Sequence, residues 1–139
     1  MVTFSESIPF ETRGEVEIRD LTTEVTGIIR RSGLQTGIAC VFSSSSTSAV
    51  TTLEYEPGLL QDLPRALERL IPKGLEYEHQ KTWQDGNGHS HVRAAVLGPS
   101  LSIPFDAGRP VLGTWQQVVF VDLDNKPRQR NVLVQLVGE

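Results

Sequence analysis

Apolar residues recur at helical spacing in two segments of the chain. The first segment follows Asp20, a residue that favours helix N-caps, and ends before Gly33, which suits the position after a helix C-terminus. Its apolar positions, spaced i, i+4, i+7 and i+8, are Leu21, Val25, Ile28 and Ile29. The second segment covers residues 57–71, and its apolar face comprises Leu59, Leu60, Leu63, Leu67, Leu70 and Ile71. Pro64 lies inside it and is expected to kink the helix or open its second half.

The other apolar segments are short and separated by turn-forming residues, which is typical of β-strands. The predicted strands are Gly37–Ser43, Ala49–Glu54, Val92–Leu97, Gln117–Asp122 and Asn131–Val137. The last two flank residues 124–127, Asp-Asn-Lys-Pro, a strong turn sequence. Most of the final strand is apolar on both faces, which indicates either a buried strand or an oligomer interface.

These elements predict a β-rich α+β fold with about seven strands and about two helices. Because strands and helices do not alternate regularly, two sheets packed face to face as a β-sandwich are favoured over a doubly wound sheet. The two helices are expected to pack on this sandwich. A length of 139 residues is typical of one domain, so we expect a single domain over residues 1–139.

Composition and charge restrict the class of protein. Hydrophobic residues make up 38% and charged residues 22% of the chain, as in ordinary globular proteins. The formal net charge of −4 argues against a generally basic nucleic-acid-binding protein. No apolar run reaches the roughly 20 residues of a membrane span, and the N-terminus has no signal-peptide pattern. Cys40, the only cysteine, cannot form an intramolecular disulfide, so we expect a cytoplasmic protein.

All three histidines, His79, His89 and His91, lie within thirteen positions. Side chains at i and i+2 project from the same face of a strand, so His89 and His91 can point at one centre if their segment is extended. His79 can reach that centre from the preceding loop. Three imidazoles suit zinc or a similar divalent ion, and Glu54 and Asp85 are candidate extra ligands or proton carriers. Histidines that only form surface hydrogen bonds are the alternative.

Other polar residues are candidates for binding an anionic ligand. The run Ser43–Ser46, continued by Thr47, lies between two predicted strands, where hydroxyls and loop amides can hold a phosphate or a carboxylate. This run lacks the glycines and the lysine of a P-loop, so solvated turn residues are the alternative. Arg93, and Arg128 and Arg130 on the last hairpin, can supply positive charge.

Several segments together resemble the YjbQ-like family, whose members are described as secondary thiamine-phosphate synthases. The matching segments are 20–22, 46–54, Asp62, 77–79, 85–91, 97–101, 113–116 and 128–130. The family commonly has His-Thr-Thr-Ala where this chain has Ser45-Ser46-Thr47-Ser48, so Ser45 stands where a histidine is expected. His91 matches the family's usual histidine, and we infer that His89 substitutes for the ligand missing at position 45.

The resemblance implies a compact β-sandwich that assembles as a homotrimer, with the histidine region near a subunit interface. It also implies a reaction that joins a pyrimidine diphosphate to a thiazole phosphate and releases pyrophosphate. Such a transfer requires a divalent metal ion, zinc or magnesium, and positive groups around the departing pyrophosphate. The expected ligand is therefore a small phosphorylated metabolite.

The candidate site that follows has three groups of residues. The metal ligands are His79, His89 and His91. The catalytic residues are Glu54, Asp85 and Arg93, of which Arg93 is the anion clamp. The substrate-binding residues are Ser46, Thr47, Asn87 and Gln116. Two other functions stay open: a protein that binds a metal or a phosphorylated metabolite without catalysis, and a hydrolase whose open zinc site activates water.

Overall fold

The computed structural model describes all residues from 1 to 139. Its eight strands are β1 (Val2–Thr12), β2 (Glu17–Asp20), β3 (Gly37–Ser43), β4 (Ser48–Leu53), β5 (Ser100–Asp106), β6 (Arg109–Pro110), β7 (Gln117–Asp122) and β8 (Arg128–Gly138). Its four helices are α1 (Thr22–Ser32), α2 (Pro57–Leu70), α3 (His79–Trp83) and α4 (Gly88–Leu97). The predicted β-rich α+β fold class is confirmed. None of the helices combines the length and apolar character needed to cross a membrane.

The strands form two antiparallel sheets. The larger sheet has the order β1-β8-β3-β5-β6, and the smaller sheet has the order β2-β7-β4. A main core of 16 buried residues draws side chains from both sheets and from α1. A second core of seven buried residues lies where the smaller sheet meets α2 and α4. The smaller sheet is therefore covered on both faces.

Strand β7 shows why its sequence is almost continuously apolar. Val118 and Phe120 belong to the main core, whereas Val119 and Val121 belong to the second core. All four side chains are fully buried. Because successive side chains of a strand point to opposite faces, only a strand packed on both sides can bury four consecutive residues in this way.

Both predicted helices are confirmed. The Asp20 carboxylate accepts a hydrogen bond from the Thr22 amide at 2.9 Å, and Gly33 follows α1 with a φ of 75°. The predicted apolar positions of α1 are all buried in the main core: Leu21, Val25, Ile28 and Ile29. Helix α2 begins after Glu56, whose carboxylate accepts from the Leu59 amide at 2.6 Å. Pro64 lies within α2, whose assigned helical span continues to Leu70.

Strand β8 has one buried and one exposed apolar face. The buried face consists of Val132, Val134 and Leu136, and the opposite face carries Leu133 and Val137, each more than one-third exposed. Leu133 pairs with Phe42 of β3, and Val137 pairs with Ile38. We call the exposed set Ile38, Phe42, Leu133 and Val137 the outer patch. Burial in the core accounts for one apolar face of β8. An oligomer interface stays a prediction for the other face, which is exposed.

The predicted strand Val92–Leu97 is wrong, because these residues belong to helix α4. Leucine, alanine and arginine are good helix formers, and tertiary packing favours the helical spacing here. Ser90 and Ala94, four residues apart, are both buried, whereas Val92 and Val96 are exposed. Helix α3 is also absent from the prediction, so the chain has four helices rather than two.

Candidate functional site

The helical conformation of α4 separates the two histidines of the His-Ser-His sequence. Residues two apart on a helix differ by about 200° around its axis, so His89 and His91 point in nearly opposite directions. His89 is fully buried, and its Nε2 lies 2.7 Å from the Glu15 carboxylate. His91 is only half-buried and faces the segment before α4. The predicted convergence of three histidines therefore does not occur, because its premise was an extended strand.

His91 instead meets His79 and Asp85. The rings of His79 and His91 have centroids 4.4 Å apart, and His79 Nε2 lies 3.2 Å from Asp85 Oδ1. One ligand atom from each of the three residues lies within 4.8 Å of the others. His79 comes from α3, Asp85 from the loop after it, and His91 from α4. We call these three residues the His–Asp cluster.

Local packing holds the segments of this cluster together. Gly88 begins α4 against the side chain of Tyr77, and a Cβ at position 88 would overlap the Cβ of Tyr77. Asp85 accepts a hydrogen bond from the Asn87 amide at 3.0 Å. This bond, followed by the hydrogen bond from His79, lowers the pKa of Asp85 below its ordinary value. The carboxylate is therefore ionised, as a metal ligand must be.

The donor set of the His–Asp cluster suits zinc better than magnesium. Two imidazole nitrogens and a carboxylate oxygen are ligands that zinc accepts, whereas magnesium prefers oxygen ligands and retained water. Three protein ligands also leave a coordination position for water or substrate, as in catalytic zinc sites. His79, Asp85 and His91 could thus hold a zinc-class ion, with Asp85 as the third ligand in place of the expected His89.

A small cavity of about 260 Å³ adjoins the cluster at His91. Its lining residues are Ser45, Ser46, Ser48, His91, Ala94, Ala95 and Pro99. We call it the serine pocket. Three larger cavities, of about 340, 580 and 570 Å³, contain no histidine. Ser46 is exposed at the serine pocket, as a ligand-binding hydroxyl should be.

Two buried carboxylates connect the loop between β3 and β4, residues 44–47, to the start of α4 and to β8. We call residues 44–47 the serine loop. Asp124 accepts hydrogen bonds from the Thr47 hydroxyl at 2.9 Å, the Asn87 side-chain amide at 3.2 Å and Arg128 Nε at 3.0 Å. Asp122 accepts from Arg130 Nε at 2.8 Å and from its Nη2 at 3.0 Å. We call Asp122, Asp124 and these partners the buried polar network.

Sequence reasoning did not identify Asp122 and Asp124 as part of the site. The available signal was the sequence Phe-Val-Asp-Leu-Asp, in which two acids follow a strongly apolar strand. Acids seldom occur fully buried without partners, so such a pair predicts nearby cationic or hydroxyl donors. Arg128 and Arg130 supply them here.

Two of the predicted substrate-binding residues, Thr47 and Asn87, are members of the buried polar network. Thr47 is buried, and its hydroxyl donates to Asp124. Asn87 is also buried, and its carbonyl oxygen accepts from the Ser90 hydroxyl at 2.7 Å and from the Asn125 amide at 3.1 Å. Both side chains are thus engaged with the protein, and they connect the serine loop to the N-terminus of α4.

Arg93 does not reach the serine pocket. It is buried, with Nε donating to the Ile71 carbonyl at 3.0 Å and Nη2 donating to Glu68 at 2.8 Å. Its predicted place beside a strand-borne His-x-His depended on the extended conformation that α4 replaces. Arg93 therefore links α4 to the end of α2 by hydrogen bonds and does not face an anion-binding pocket.

Glu54 and Gln116 also lie outside the His–Asp cluster and the serine pocket. Glu54 is exposed just after β4. Gln116 is exposed before β7, and its side-chain oxygen accepts from the Gly113 amide at 2.8 Å. Of the predicted site residues, the structure thus groups His79, Asp85, His91 and Ser46 around one surface region.

His89 belongs to a separate buried group on the other side of α4. Burial alone would raise the pKa of Glu15, but its contacts with Lys73 and His89 outweigh that effect and lower it. Lys73 Nζ lies 2.6 Å from the second oxygen of Glu15. The Nδ1 atom of His89 has no hydrogen-bond partner in the chain. These contacts fix the interior side of α4 while His91 faces the cluster.

Comparison with known proteins gives a consistent result. The family model "UPF0047 protein YjbQ-like" matches residues 6–139. A UPF0047 protein of Methanothermobacter thermautotrophicus is 39% identical over 139 residues, covering 100% of this chain and 95% of the relative. The UPF0047 protein YugU of Bacillus subtilis is 27% identical over 135 residues, covering 96% and 98% of the two chains.

Solved structures have the same fold. The crystal structure of a YbjQ-like protein of unknown function from Sulfolobus solfataricus has a TM-score of 0.89 and 28% identity, covering 99% of this chain and 100% of its own. The hypothetical protein APE1520 from Aeropyrum pernix has a TM-score of 0.85 and 32% identity, covering 96% and 99% of the two chains. Similarity thus extends over nearly the whole length of each protein.

The first testable prediction concerns the carboxylate of Asp124. Burial alone would raise its pKa, but hydrogen bonds from Asn87, Thr47 and Arg128 outweigh burial and lower it. We expect Asp124→Asn to reduce the free energy of unfolding at pH 7 by about 1.5–3 kcal/mol, because hydrogen bonds to a charged group are lost. Urea unfolding measures this difference.

The pH dependence of that difference has a defined sign. A carboxylate whose pKa is lower in the folded than in the unfolded state stabilises the fold at every pH above its unfolded-state pKa. This contribution is lost as the pH falls through the folded-state pKa. The difference in the free energy of unfolding between wild type and Asp124→Asn should therefore become smaller in acid. Asp106→Asn, at an exposed strand end, is the control and should stay close to wild type. A difference in the free energy of unfolding that grows in acid would contradict a lowered pKa of Asp124.

Proposed function

The chain belongs to the YjbQ-like UPF0047 family, and on that premise we propose that it binds a zinc-class divalent ion through the His–Asp cluster and uses it on a small phosphorylated metabolite. The observation that supports the proposal best is the approach of His79, Asp85 and His91, whose ligand atoms lie within 4.8 Å of one another. A bound zinc ion would supply a Lewis acid that polarises an oxygen of the ligand.

The chain's own residues would perform the remaining tasks. His79 and His91 offer imidazole nitrogens from two different helices, and Asp85 offers an ionised carboxylate beside His79. The serine pocket shares His91 with the cluster, so a phosphoryl group in that pocket would lie beside the metal. The serine loop and α4 form two sides of the pocket, and the buried polar network fixes their positions because Thr47 and Asn87 both donate to Asp124.

Zinc titration tests the proposed metal site. Wild type should bind one zinc ion per chain, and His91→Ala and Asp85→Asn should each lower the affinity by at least the roughly 10- to 100-fold that loss of an outer-shell partner costs. Calorimetry with the metal-free protein measures this. Glu78→Gln is the matched control, because Glu78 is an exposed acid of the same segment outside the cluster.

His89 provides a second comparison. If Asp85 rather than His89 completes the site, His89→Gln should retain wild-type zinc affinity as long as the variant remains folded by circular dichroism. Equal zinc affinity in wild type and His91→Ala, or no zinc binding by wild type, would contradict the proposed function.

The reaction we propose is transfer of thiamine-phosphate-synthase type, and its support is the resemblance of the ordered sequence segments. In this reaction the bond between the pyrimidine's methylene carbon and its diphosphate oxygen breaks, and a bond from that carbon to the thiazole nitrogen forms. Pyrophosphate leaves with the electron pair. Because Arg93 is bound to Glu68 and Ile71, it is not available to assist this departure, and a divalent ion held by the His–Asp cluster would supply positive charge.

An activity assay separates this reaction from the two alternatives. Zinc-loaded wild type, given the pyrimidine diphosphate and the thiazole phosphate, should form the joined product and pyrophosphate, and His91→Ala should lose this activity. Hydrolysis of a phosphorylated substrate without joining would favour the metal-dependent hydrolase. Binding of the phosphorylated compounds without any turnover would favour the non-catalytic protein.

We further propose that the chain forms a homotrimer in the cytoplasm. The outer patch supports an assembly, because the pairs Ile38–Val137 and Phe42–Leu133 place four apolar side chains on the exposed face of the larger sheet, one pair on each side of Cys40–Gln135. The unpaired cysteine Cys40 supports a reducing compartment.

Light scattering tests the oligomeric state. Wild type should have three times the mass of the 15.4 kDa chain, and Leu133→Lys should dissociate it by burying a charge in the interface. Val111→Lys, at an exposed position outside the outer patch, should leave the mass unchanged. A monomer mass for wild type at micromolar concentration would contradict this part of the proposal.

A further inference from the structure

Ser45 has an unusual hydrogen-bonding position at the wall of the serine pocket. Its hydroxyl oxygen accepts from Arg130 Nη1 at 2.8 Å and from the Thr47 amide at 3.1 Å. A serine hydroxyl has two acceptor lone pairs and one proton. Since both lone pairs are engaged by donors inside the protein, the proton is left to donate.

The protein offers that proton no normal acceptor. The Thr47 hydroxyl oxygen lies 3.4 Å from the Ser45 oxygen, beyond the roughly 2.5–3.0 Å of an O–H···O hydrogen bond. The same Thr47 oxygen already receives Arg130 Nη2 at 3.2 Å. Ser45 lines the serine pocket and is only half-buried, so a ligand in the pocket can take the proton that the protein does not use.

Arg130 makes this hydroxyl a stronger donor. Its guanidinium is held by two bonds to the fully buried Asp122, and its side chain is only 8% exposed. A fixed cation that donates to a hydroxyl oxygen polarises the O–H bond and strengthens its next hydrogen bond. Arg130 does not itself line the pocket, so Ser45 transmits its influence.

The remaining walls of the serine pocket carry no negative charge that would repel an anion. No carboxylate lines it, and Ala94, Ala95 and Pro99 are apolar. Ser46 adds an exposed hydroxyl, whereas the Ser48 hydroxyl is paired with Ser43 at 2.7 Å. The volume of about 260 Å³ is below the roughly 300–1,000 Å³ of pockets that enclose whole drug-sized ligands. A single phosphoryl group matches both the size and the donors.

We propose that Ser45 is the anion-recognising donor of the serine pocket, that Arg130 polarises it, and that the group it binds is a phosphoryl group of the small-molecule ligand. This inference rests on the proposed function, since His91 joins the pocket to the metal site. It gives position 45 a role in binding the ligand rather than the metal, and it assigns to Arg130 and Ser45 the task that was expected of Arg93.

Titration of inorganic phosphate tests the inference, using wild type, Ser45→Ala, Ser45→Thr and Ser44→Ala. Each protein is titrated with and without zinc, after its zinc affinity has been measured separately. Ser45→Ala should weaken phosphate binding about 10- to 100-fold through loss of one hydrogen bond to a charged group. Its zinc affinity should stay at the wild-type value. Its melting temperature should fall, because Arg130 Nη1 and the Thr47 amide lose their acceptor, so circular dichroism must show that it is folded at the temperature of the titration.

The other two variants serve as controls. Ser45→Thr keeps the hydroxyl and should retain most of the phosphate affinity, and Ser44→Ala changes an exposed neighbour outside the pocket and should have no effect. Phosphate affinity in Ser45→Ala equal to that of wild type, or no phosphate binding by wild type, would overturn the inference. Failure of wild type to bind zinc would instead count against the proposed function, while the phosphate titration without zinc would still test Ser45.

Discussion

The burial of two carboxylates at the end of β7 is the constraint on which the site region depends. Asp122 and Asp124 are both fully or almost fully excluded from solvent. An ionised carboxylate in such a place is stable only if hydrogen-bond donors surround it. The donors come from the serine loop, the segment before α4 and β8, so these three parts of the chain have to meet where β7 ends.

This constraint positions the groups that carry the proposed chemistry. Thr47 bonded to Asp124 fixes the loop that carries Ser45 and Ser46, and Asn87 bonded to the same carboxylate fixes the start of α4. Four residues beyond Asn87, His91 emerges on the side of the helix that faces α3. The interior side of the helix is held by His89 against Glu15 and by Arg93 against Glu68. One short helix thus has a structural face and a face available for chemistry.

The sequence allows the helices α1 and α2, four of the eight strands (β3, β4, β7 and β8) and the two-sheet packing to be predicted, because their apolar pattern follows from which faces are buried. It does not locate β1, β2, β5 and β6. It does not allow α4 to be predicted, since Val92, Ala94 and Val96 alternate with other residues as a strand would. A strand would place Ser90, Val92 and Ala94 on one face, whereas Ser90 and Ala94 are buried beside the smaller sheet and Val92 is exposed, as a helix requires. The strand period predicts that His89 and His91 face one centre, whereas the helix turns His89 to the opposite side and leaves His91 beside His79 and Asp85.

The central claim is that folding brings His79, Asp85 and His91, and not His89, to one zinc-class site. Anomalous diffraction at the zinc edge, from crystals of the protein grown with zinc, tests this most directly. The account predicts one strong peak bounded by His79, Asp85 and His91, with His89 still bonded to Glu15. A peak bound by His89, or no peak between α3 and α4 in crystals shown to contain zinc, would contradict it.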